Sequence, residues 1–386
     1  METNHLSFEQ GPIRPPNESR SLLLRLTRNC PWNQCLFCPV YKKRQFSLRS
    51  VDEIRQDIEI ARSMADEIQA LSRQMGFDGK VNDAVISRIL GQAKSSQSYH
   101  NVAAWLYYGT GACFLQDADN LIMTTADLVA VLTFLLEKFP EIKRVTTYSR
   151  SRTVIRKSAE GLLKIRQAGL NRIHIGLESG CDAVLKLMKK GVSAAQHVAA
   201  GQAVVAAGIE LSEYVMPGLG GKALWQEHAK ETAEVLNQIN PHFIRLRSLR
   251  VPRRVPLYQK LQDGHFEMQE DDTLVEEIKL FIETLEGISS TVTSDHIMNL
   301  LPEVEGRLPE DKAAMLKVLE KYQALSAEDR QIYRIGRRGG TFQSTDDLSR
   351  NPDIYRKIKT LVDEVRSEQG EAGIDRMATE LVDRYI

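Results

Sequence analysis

Short apolar runs and amphipathic helical patterns alternate from residue 22 to residue 293, and no other feature limits the possible folds as much. Strand signals fall at 22–27, 105–116, 144–149, 172–177, 209–216, 243–249 and 288–293. Helical patterns lie between them at 125–139, 158–168, 193–208, 223–239 and 271–286, two of them closed by Gly169 and Gly208. A spacing of about 30 to 40 residues is too long for hairpins and suits parallel βαβ crossovers. An α/β barrel, whole or partial, is the expected closure.

Two segments depart from the alternation. Ser50-Val51-Asp52-Glu53 reads as a capping box that opens a helix with Ile54, Ile58 and Ala61 on one face. Residues 62–104 then turn polar and mostly helical, as an insertion that closes over a site as a lid is expected to be. From 296 onward only helical patterns remain, at 309–325, 352–368 and 371–385, interrupted by the basic, glycine-containing segment 334–340. The expected organisation is a barrel domain at 1–295 and a helical region at 296–386.

The 386 residues carry 51 Lys+Arg against 51 Asp+Glu, so no net field favours a polyanion, and nucleic acid is not an expected partner. The first five residues lack a basic leader, and no apolar run approaches the ~18 residues of a membrane span. A cytoplasmic protein without membrane partners is expected. Five cysteines are the more informative count: Cys30, Cys35 and Cys38 cluster within nine residues, while Cys113 and Cys181 stand singly in or beside apolar elements. The latter two read as core residues, with radical-quenching thiols as the alternative.

Thiolates spaced four and two residues apart on a loop after a strand suit a soft-metal centre. A structural zinc site takes four ligands, and the next candidates after Cys38 are the distant His100 and Cys113. A four-iron cluster held by three cysteines instead leaves one iron open to an outside ligand.

The run Cys30-Pro-Trp-Asn-Gln-Cys35-Leu-Phe-Cys38, with the aromatic Phe37 before its last cysteine, resembles the cluster motif of the radical S-adenosylmethionine (SAM) superfamily. It has four residues in the first gap where three are commoner. The resemblance spans residues 20–295 and is to the group related to methylthiotransferases and oxygen-independent coproporphyrinogen oxidases. It implies a partial (β/α)6-type barrel with a helical insertion and a C-terminal helical extension. It also implies a [4Fe-4S] cluster on the three thiolates, with S-adenosyl-L-methionine chelating the fourth iron. Reductive cleavage would give methionine and a 5′-deoxyadenosyl radical that abstracts hydrogen from a small substrate. A low-potential donor such as flavodoxin or ferredoxin is the implied partner.

The same resemblance nominates residues at later strand ends. Asp119, or Asp117 in its place, occupies the position of an acid that holds the SAM ammonium; the alternative is an Asp-rich turn before a helix. Ile173-His174-Ile175-Gly176-Leu177-Glu178-Ser179-Gly180 is similar to a family strand end, placing Glu178 and Ser179 beside SAM. Lys190 follows late in the next helix, either as a cation for the SAM carboxylate or as part of a solvated face with Lys189. Glu210 and Glu213 of the 209–216 strand have opposite parity, so at most one points inward, and Glu213 is the favoured acceptor for the ribose hydroxyls because it is nearer the C-terminal strand end, where such folds place their sites.

On the substrate side, Arg245 and Arg247 share one strand face, so Arg247 either meets a carboxylate of SAM or substrate or points outward with Ile244 and Leu246 inside. Tyr148 and His296 end the third and seventh strands, on the rim where such folds act; Asp295-His296 either orients or exchanges a proton with the substrate, or the His is a hydrogen-bonded structural residue. The 29 residues ahead of Cys30 leave no room for a cobalamin domain, so methylation or tRNA methylthiolation of that architecture is not expected. The expected activity is hydrogen abstraction from a small acidic molecule, and the alternatives are a haem- or iron–sulfur-handling protein on the same scaffold and a zinc-stabilised binding module.

Overall fold

The computed structural model describes residues 7–91 and 96–383. The readings at 1–5, at 92–95 of the insertion and at 384–385 of the last helix lie outside the described residues. The chain forms two compact units. Unit one lies within Met1–Asn33, Val40–Gly176 and Ala199–Leu211; unit two lies within Gln34–Pro39, Leu177–Val198 and Ser212–Ile386.

Unit one begins with β1 (Leu22–Arg25), followed by β2 (Thr27–Arg28) and β3 (Ser47–Leu48), which pair antiparallel on their own. Helices α1 (Val51–Gln74), α2 (Asp83–Leu90) and α3 (Gln97–Tyr108) come next. Then follow β4 (Ala112–Gln116), α4 (Thr125–Lys138), β5 (Arg144–Ser149), α5 (Ser151–Val154), α6 (Ala159–Gln167) and β6 (Leu170–Glu178). β1, β4, β5 and β6 lie side by side and parallel, with Leu22 opposite Cys113, Ala112 opposite Arg144 and Thr147 opposite Ile173. Leu22, Leu24, Phe114 and Leu115 are almost wholly buried, as both faces of a helix-covered parallel sheet require.

The capping box forms as read: Ser50 Oγ accepts from Glu53 N at 3.2 Å and Glu53 Oε2 from Ser50 N at 2.8 Å. The helix it opens runs to Gln74, because Met64, Ala65 and Ile68 continue the buried stripe begun by Ile54, Ile58 and Ala61. With Val85, Ile89, Val102 and Ala103 also buried, the described part of the segment read as a lid is built into the core of unit one. A segment anchored by so much apolar surface does not swing open cheaply. The 105–116 strand signal divides at Gly109, whose φ of 58° ends α3; only the part from Ala112 is strand.

Beyond β6, α7 (Asp182–Leu187) belongs to unit two, and α8 (Ala194–Ala206) leads to β7 (Glu210–Val215). Unit two continues with α9 (Trp225–Ile239), β8 (Phe243–Leu246), α10 (Pro256–Gln262), α11 (Asp271–Thr284), β9 (Thr291–Thr293) and β10 (Gly306–Arg307). It ends with α12 (Lys312–Gln323), α13 (Ala327–Arg338), α14 (Asp347–Arg350), α15 (Pro352–Gln369) and α16 (Glu371–Asp383). β7, β8 and β9 are parallel, and β10 turns back antiparallel on β9. In the order β1-β4-β5-β6-β7-β8-β9-β10 the strands make one mostly parallel eight-stranded sheet. The fold is α/β, and the seven expected strands are β1 and β4 to β9.

The basic segment 334–340 corrects the reading of an interruption, since Arg334 to Arg338 are the last turns of α13. Arg337 and Arg338 are buried there, Arg338 against the carboxylate of Asp271 at 2.9 Å. Among the described residues no helix is long and apolar enough to cross a membrane.

Candidate functional site

The cysteine loop is tightly wound. Asn29 and Asn33 flank Cys30 with φ values of 69° and 47°, a left-handed conformation that asparagine tolerates better than most residues. Asn33 Nδ2 donates to Tyr41 O at 2.6 Å, and Asn33 N lies 3.4 Å from Cys30 Sγ. In unit two, the Cys35–Cys38 stretch is pinned through Leu36, whose N–H donates to Met188 O and whose carbonyl accepts from Leu257 N, both at 3.0 Å. Leu36 and Phe37 are buried in a cluster with Val184, Met188, Leu249 and Leu257, while Cys35 and Cys38 are only partly buried against it. The apolar pair thus anchors a turn whose two cysteines are less buried than the residues between them. Among the described residues no group of three His, Cys, Asp or Glu is gathered as ligands of a single metal ion.

Four of the nominated cofactor residues converge in unit two. Glu178, the last residue of β6, holds a φ of 65°, unusual for a side chain of its size and a mark of a backbone constrained by its surroundings. Its carboxylate meets Lys190 Nζ at 3.0 Å, and that ammonium stands 5.8 Å from the centre of the Phe37 ring. Lys190 lies beyond the end of α7, where the left-handed Lys189 (φ 52°) redirects the chain; the reading of a late-helix position is corrected accordingly. Glu213 is fully buried, and neither of its carboxyl oxygens has a hydrogen-bond partner among the described residues. Burial pushes its pKa well above the ordinary value, with Lys190 opposing and Glu178 adding to the shift.

Sequence reading missed what lies beneath these acids. His228 of α9 is buried with Nε2 3.0 Å from Met216 O, so that nitrogen carries the proton, and Nδ1 is left to accept from Ser179 Oγ at 2.9 Å or Thr232 Oγ1 at 3.2 Å. Met216 N in turn donates to Glu178 O at 3.0 Å. One imidazole therefore ties the turn after β6 to the turn after β7. Burial depresses the His228 pKa to about 4, against the Met216 hydrogen bond, so the ring is neutral near pH 7. Glu277 of α11 accepts from Gly218 N at 2.8 Å and Gln269 Nε2 at 2.7 Å, yet burial pushes it up to about 8. Gly180 completes the arrangement. Its N–H donates to Thr232 Oγ1, and a Cβ there would lie 2.4 Å from Glu231 O, so only glycine lets the turn approach α9 this closely.

Unit one holds the remaining acids in use. Asp117 is buried and paired with Arg25 at 2.5 Å, which reaches Glu9 at 2.7 Å. Asp119 accepts from Ser149 Oγ at 2.8 Å, Arg150 N at 3.2 Å and Thr153 Oγ1 at 2.5 Å, and burial still raises its pKa against those bonds. Tyr148 packs edge-on to Phe114 at 5.2 Å and tilted against His174 at 5.6 Å.

Strand register separates the arginine pair from Glu213. Glu213 is opposite Ile244 and Tyr214 is opposite Arg245, so alternation sends Glu213 and Arg245 to opposite sheet faces. Arg245 donates to Ser212 Oγ and pairs with Asp295 at 3.1 Å, while Arg247 lies over the Tyr214 ring at 5.3 Å. His296 accepts from Met298 N at Nδ1, and burial together with Arg247 lowers its pKa to about 4. Cys113 is fully buried and burial pushes its thiol far up, which leaves it an inert core residue.

No protein-family model and no curated protein matches the chain. Several solved structures are similar to it. Elp3 of the archaeon Methanocaldococcus infernus, with residues 1–46 deleted, shares 17% identity over 55% of each chain at a TM-score of 0.40. OxsB, a cobalamin-dependent S-adenosylmethionine radical enzyme, shares 16% identity over 89% of this chain and 45% of its own, at 0.39. TsrM, a radical S-adenosylmethionine methyltransferase from Kitasatospora setae with cobalamin and a [4Fe-4S] cluster bound, shares 12% identity over 92% of this chain and 65% of its own, at 0.43. The chain spans 45% to 65% of the length of these three. Scores at this level describe a coarse likeness without residue correspondence.

Proposed function

We propose that the chain is a radical SAM enzyme whose Cys30, Cys35 and Cys38 hold a [4Fe-4S] cluster and whose substrate is a small acidic molecule. The observation that carries this reading is the pinned Cys35–Cys38 turn, with Phe37 seated in apolar core and Cys35 and Cys38 only partly buried. Each thiolate of a cubane binds its own iron, so three cysteines need not converge on one point as they would for zinc. When bound, the cluster supplies the electron that cleaves SAM to methionine and a 5′-deoxyadenosyl radical.

The protein residues supply binding and orientation. The buried, unpartnered carboxyl of Glu213 fits two hydroxyl donors, as the ribose of SAM offers, because an acceptor left bare in the interior costs several kcal/mol unless a ligand satisfies it. Lys190, paired with Glu178, gives a cation for a carboxylate and can exchange one acidic partner for another. Ser179, through His228, keeps the turn that carries Glu178 in place. A low-potential flavodoxin or ferredoxin is the proposed electron donor.

Anaerobic reconstitution tests the proposal. Iron and sulfide should approach four each per chain and drop sharply on Cys30→Ser, Cys35→Ser or Cys38→Ser while Cys113→Ala retains them. Reduced protein should release 5′-deoxyadenosine from SAM. Zinc in place of iron, or a full cluster without SAM cleavage, sinks the enzyme reading.

A further inference from the structure

Unit one ties a basic turn to the first cysteine. Tyr41-Lys42-Lys43-Arg44 is a four-residue turn closed by Arg44 N, which donates to Tyr41 O at 3.0 Å. Asn33 Nδ2 donates to Tyr41 O at 2.6 Å and to Arg44 O at 3.2 Å, while Asn33 N lies 3.4 Å from Cys30 Sγ. Lys42 Nζ donates back to Asn33 O at 2.9 Å, and Asn29 Nδ2 donates to Gln45 O at 2.6 Å. A single asparagine therefore stands between the basic turn and a thiol.

Lys43 holds a φ of 64° at the third position of that turn, where glycine or asparagine is the unstrained choice. A lysine held at a strained corner calls for a use of its charge. Lys43 and Arg44 are both exposed, and neither has an acidic partner among the described residues. The acids that meet Arg28 on the opposite limb of the loop are already answered: Glu9 by Arg25 at 2.7 Å and Arg28 at 2.6 Å, and Glu53 by Arg28 at 3.0 Å. Leu48 follows the turn in β3 and is 54% exposed. A chain of zero net charge lacks the broad basic footprint of a nucleic-acid binder, and an exposed leucine beside local cations suits a protein face.

We propose that this turn docks a small acidic electron-transfer protein, with Lys43 and Arg44 meeting carboxylates of the partner and Leu48 its apolar surface. The purpose of the contact rests on the radical SAM reading: the reduced carrier loses one electron to the cluster and leaves oxidised. Complementary charge at such a face speeds encounter and fixes orientation. Asn33 then connects the docked carrier to Cys30 within one residue.

Isothermal titration calorimetry of the metal-free full chain with oxidised flavodoxin tests the docking itself. Binding should be saturable at low salt and weaken by about tenfold or more when NaCl is raised to about 0.3 M. Lys43→Glu should weaken it by about tenfold or more, whereas Lys230→Glu, the same charge change at an exposed position of α9, should stay within about twofold. Lys43→Gly relieves the strained corner, so it should lose no stability in urea and yet bind flavodoxin about threefold more weakly or worse. Absent binding, unchanged binding in Lys43→Glu, an equal loss in Lys230→Glu, or an RNA hairpin bound as tightly as flavodoxin overturns the inference. Dithionite needs no docking face, so SAM cleavage by the reconstituted parent with dithionite decides the radical SAM reading separately. Cleavage without flavodoxin binding removes only the docking inference, and charge-dependent flavodoxin binding without cleavage removes only the radical SAM reading.

Discussion

The imidazole of His228 lies 3.0 Å from the carbonyl oxygen of Met216, and that single contact fixes its tautomer, since a carbonyl can only accept. The opposite nitrogen is thereby made an acceptor for Ser179. His228→Ala removes both bonds and leaves buried groups unsatisfied, an expected loss of about 2 to 4 kcal/mol in urea denaturation. His228→Gln keeps one donor and one acceptor and should recover at least half of that loss. If the two variants are equally unstable, the hydrogen bonds are not what the imidazole contributes.

Stability should fall on both sides of neutrality. His228 and His296 titrate at about 4 in the folded protein against an ordinary 6.5, so both are neutral when folded and the unfolded chain binds more protons. Their contribution is complete above pH 6.5 and is lost as pH falls toward 4. Glu277 is the reverse case: at about 8 against 4.5, its contribution is complete below pH 4.5 and is lost as pH rises through 8. Thermal unfolding across pH 4 to 9 should show both limbs, and Glu277→Gln should shrink the alkaline limb while leaving the acid limb as it is.

Glu213 should separate stability from binding. Its raised pKa means that ionisation opposes folding, so Glu213→Gln should leave the ligand-free protein as stable as the parent at pH 5 and more stable at pH 9. The same substitution should weaken SAM binding by at least about tenfold in equilibrium dialysis of reconstituted protein. Unaltered SAM affinity excludes the ribose-acceptor role.

Asp271 neutralises two guanidiniums at once. Asp271→Asn strands Arg338 in partly dry surroundings, leaves Arg334 with Asp375 alone, and should cost about 3 kcal/mol by chemical denaturation. A loss under 1 kcal/mol would mean that water reaches both arginines.

Much of the architecture was legible because parallel strands buried on both faces leave continuous apolar runs, as at Leu22 to Leu24 and Cys113 to Leu115. Register was not legible. The parity that puts Arg245 and Arg247 on one face says nothing of which face carries Glu213, because that depends on Tyr214 pairing with Arg245 across the sheet. Lys190 was ambiguous for a related reason: a single left-handed residue, Lys189, redirects it toward Glu178, and no periodicity announces such a turn. His228 and Glu277 were passed over as isolated polar residues on apolar helix faces. The pattern of His228 and Thr232 one turn apart among Ala229, Ala233 and Leu236 was the available signal.

Leu249 is packed in the apolar cluster under the Cys35–Cys38 turn and also forms part of the wall of a cavity of about 490 Å³ in unit two. One side chain thus belongs to two structures at once. A substitution that reshapes the cavity at this position therefore also disturbs the packing beneath the cysteine turn, so the two cannot be altered independently there. Leu261 shares that double membership, whereas Leu274 lies outside the cluster and is a position at which the cavity can change shape while the cysteine turn stays as it is.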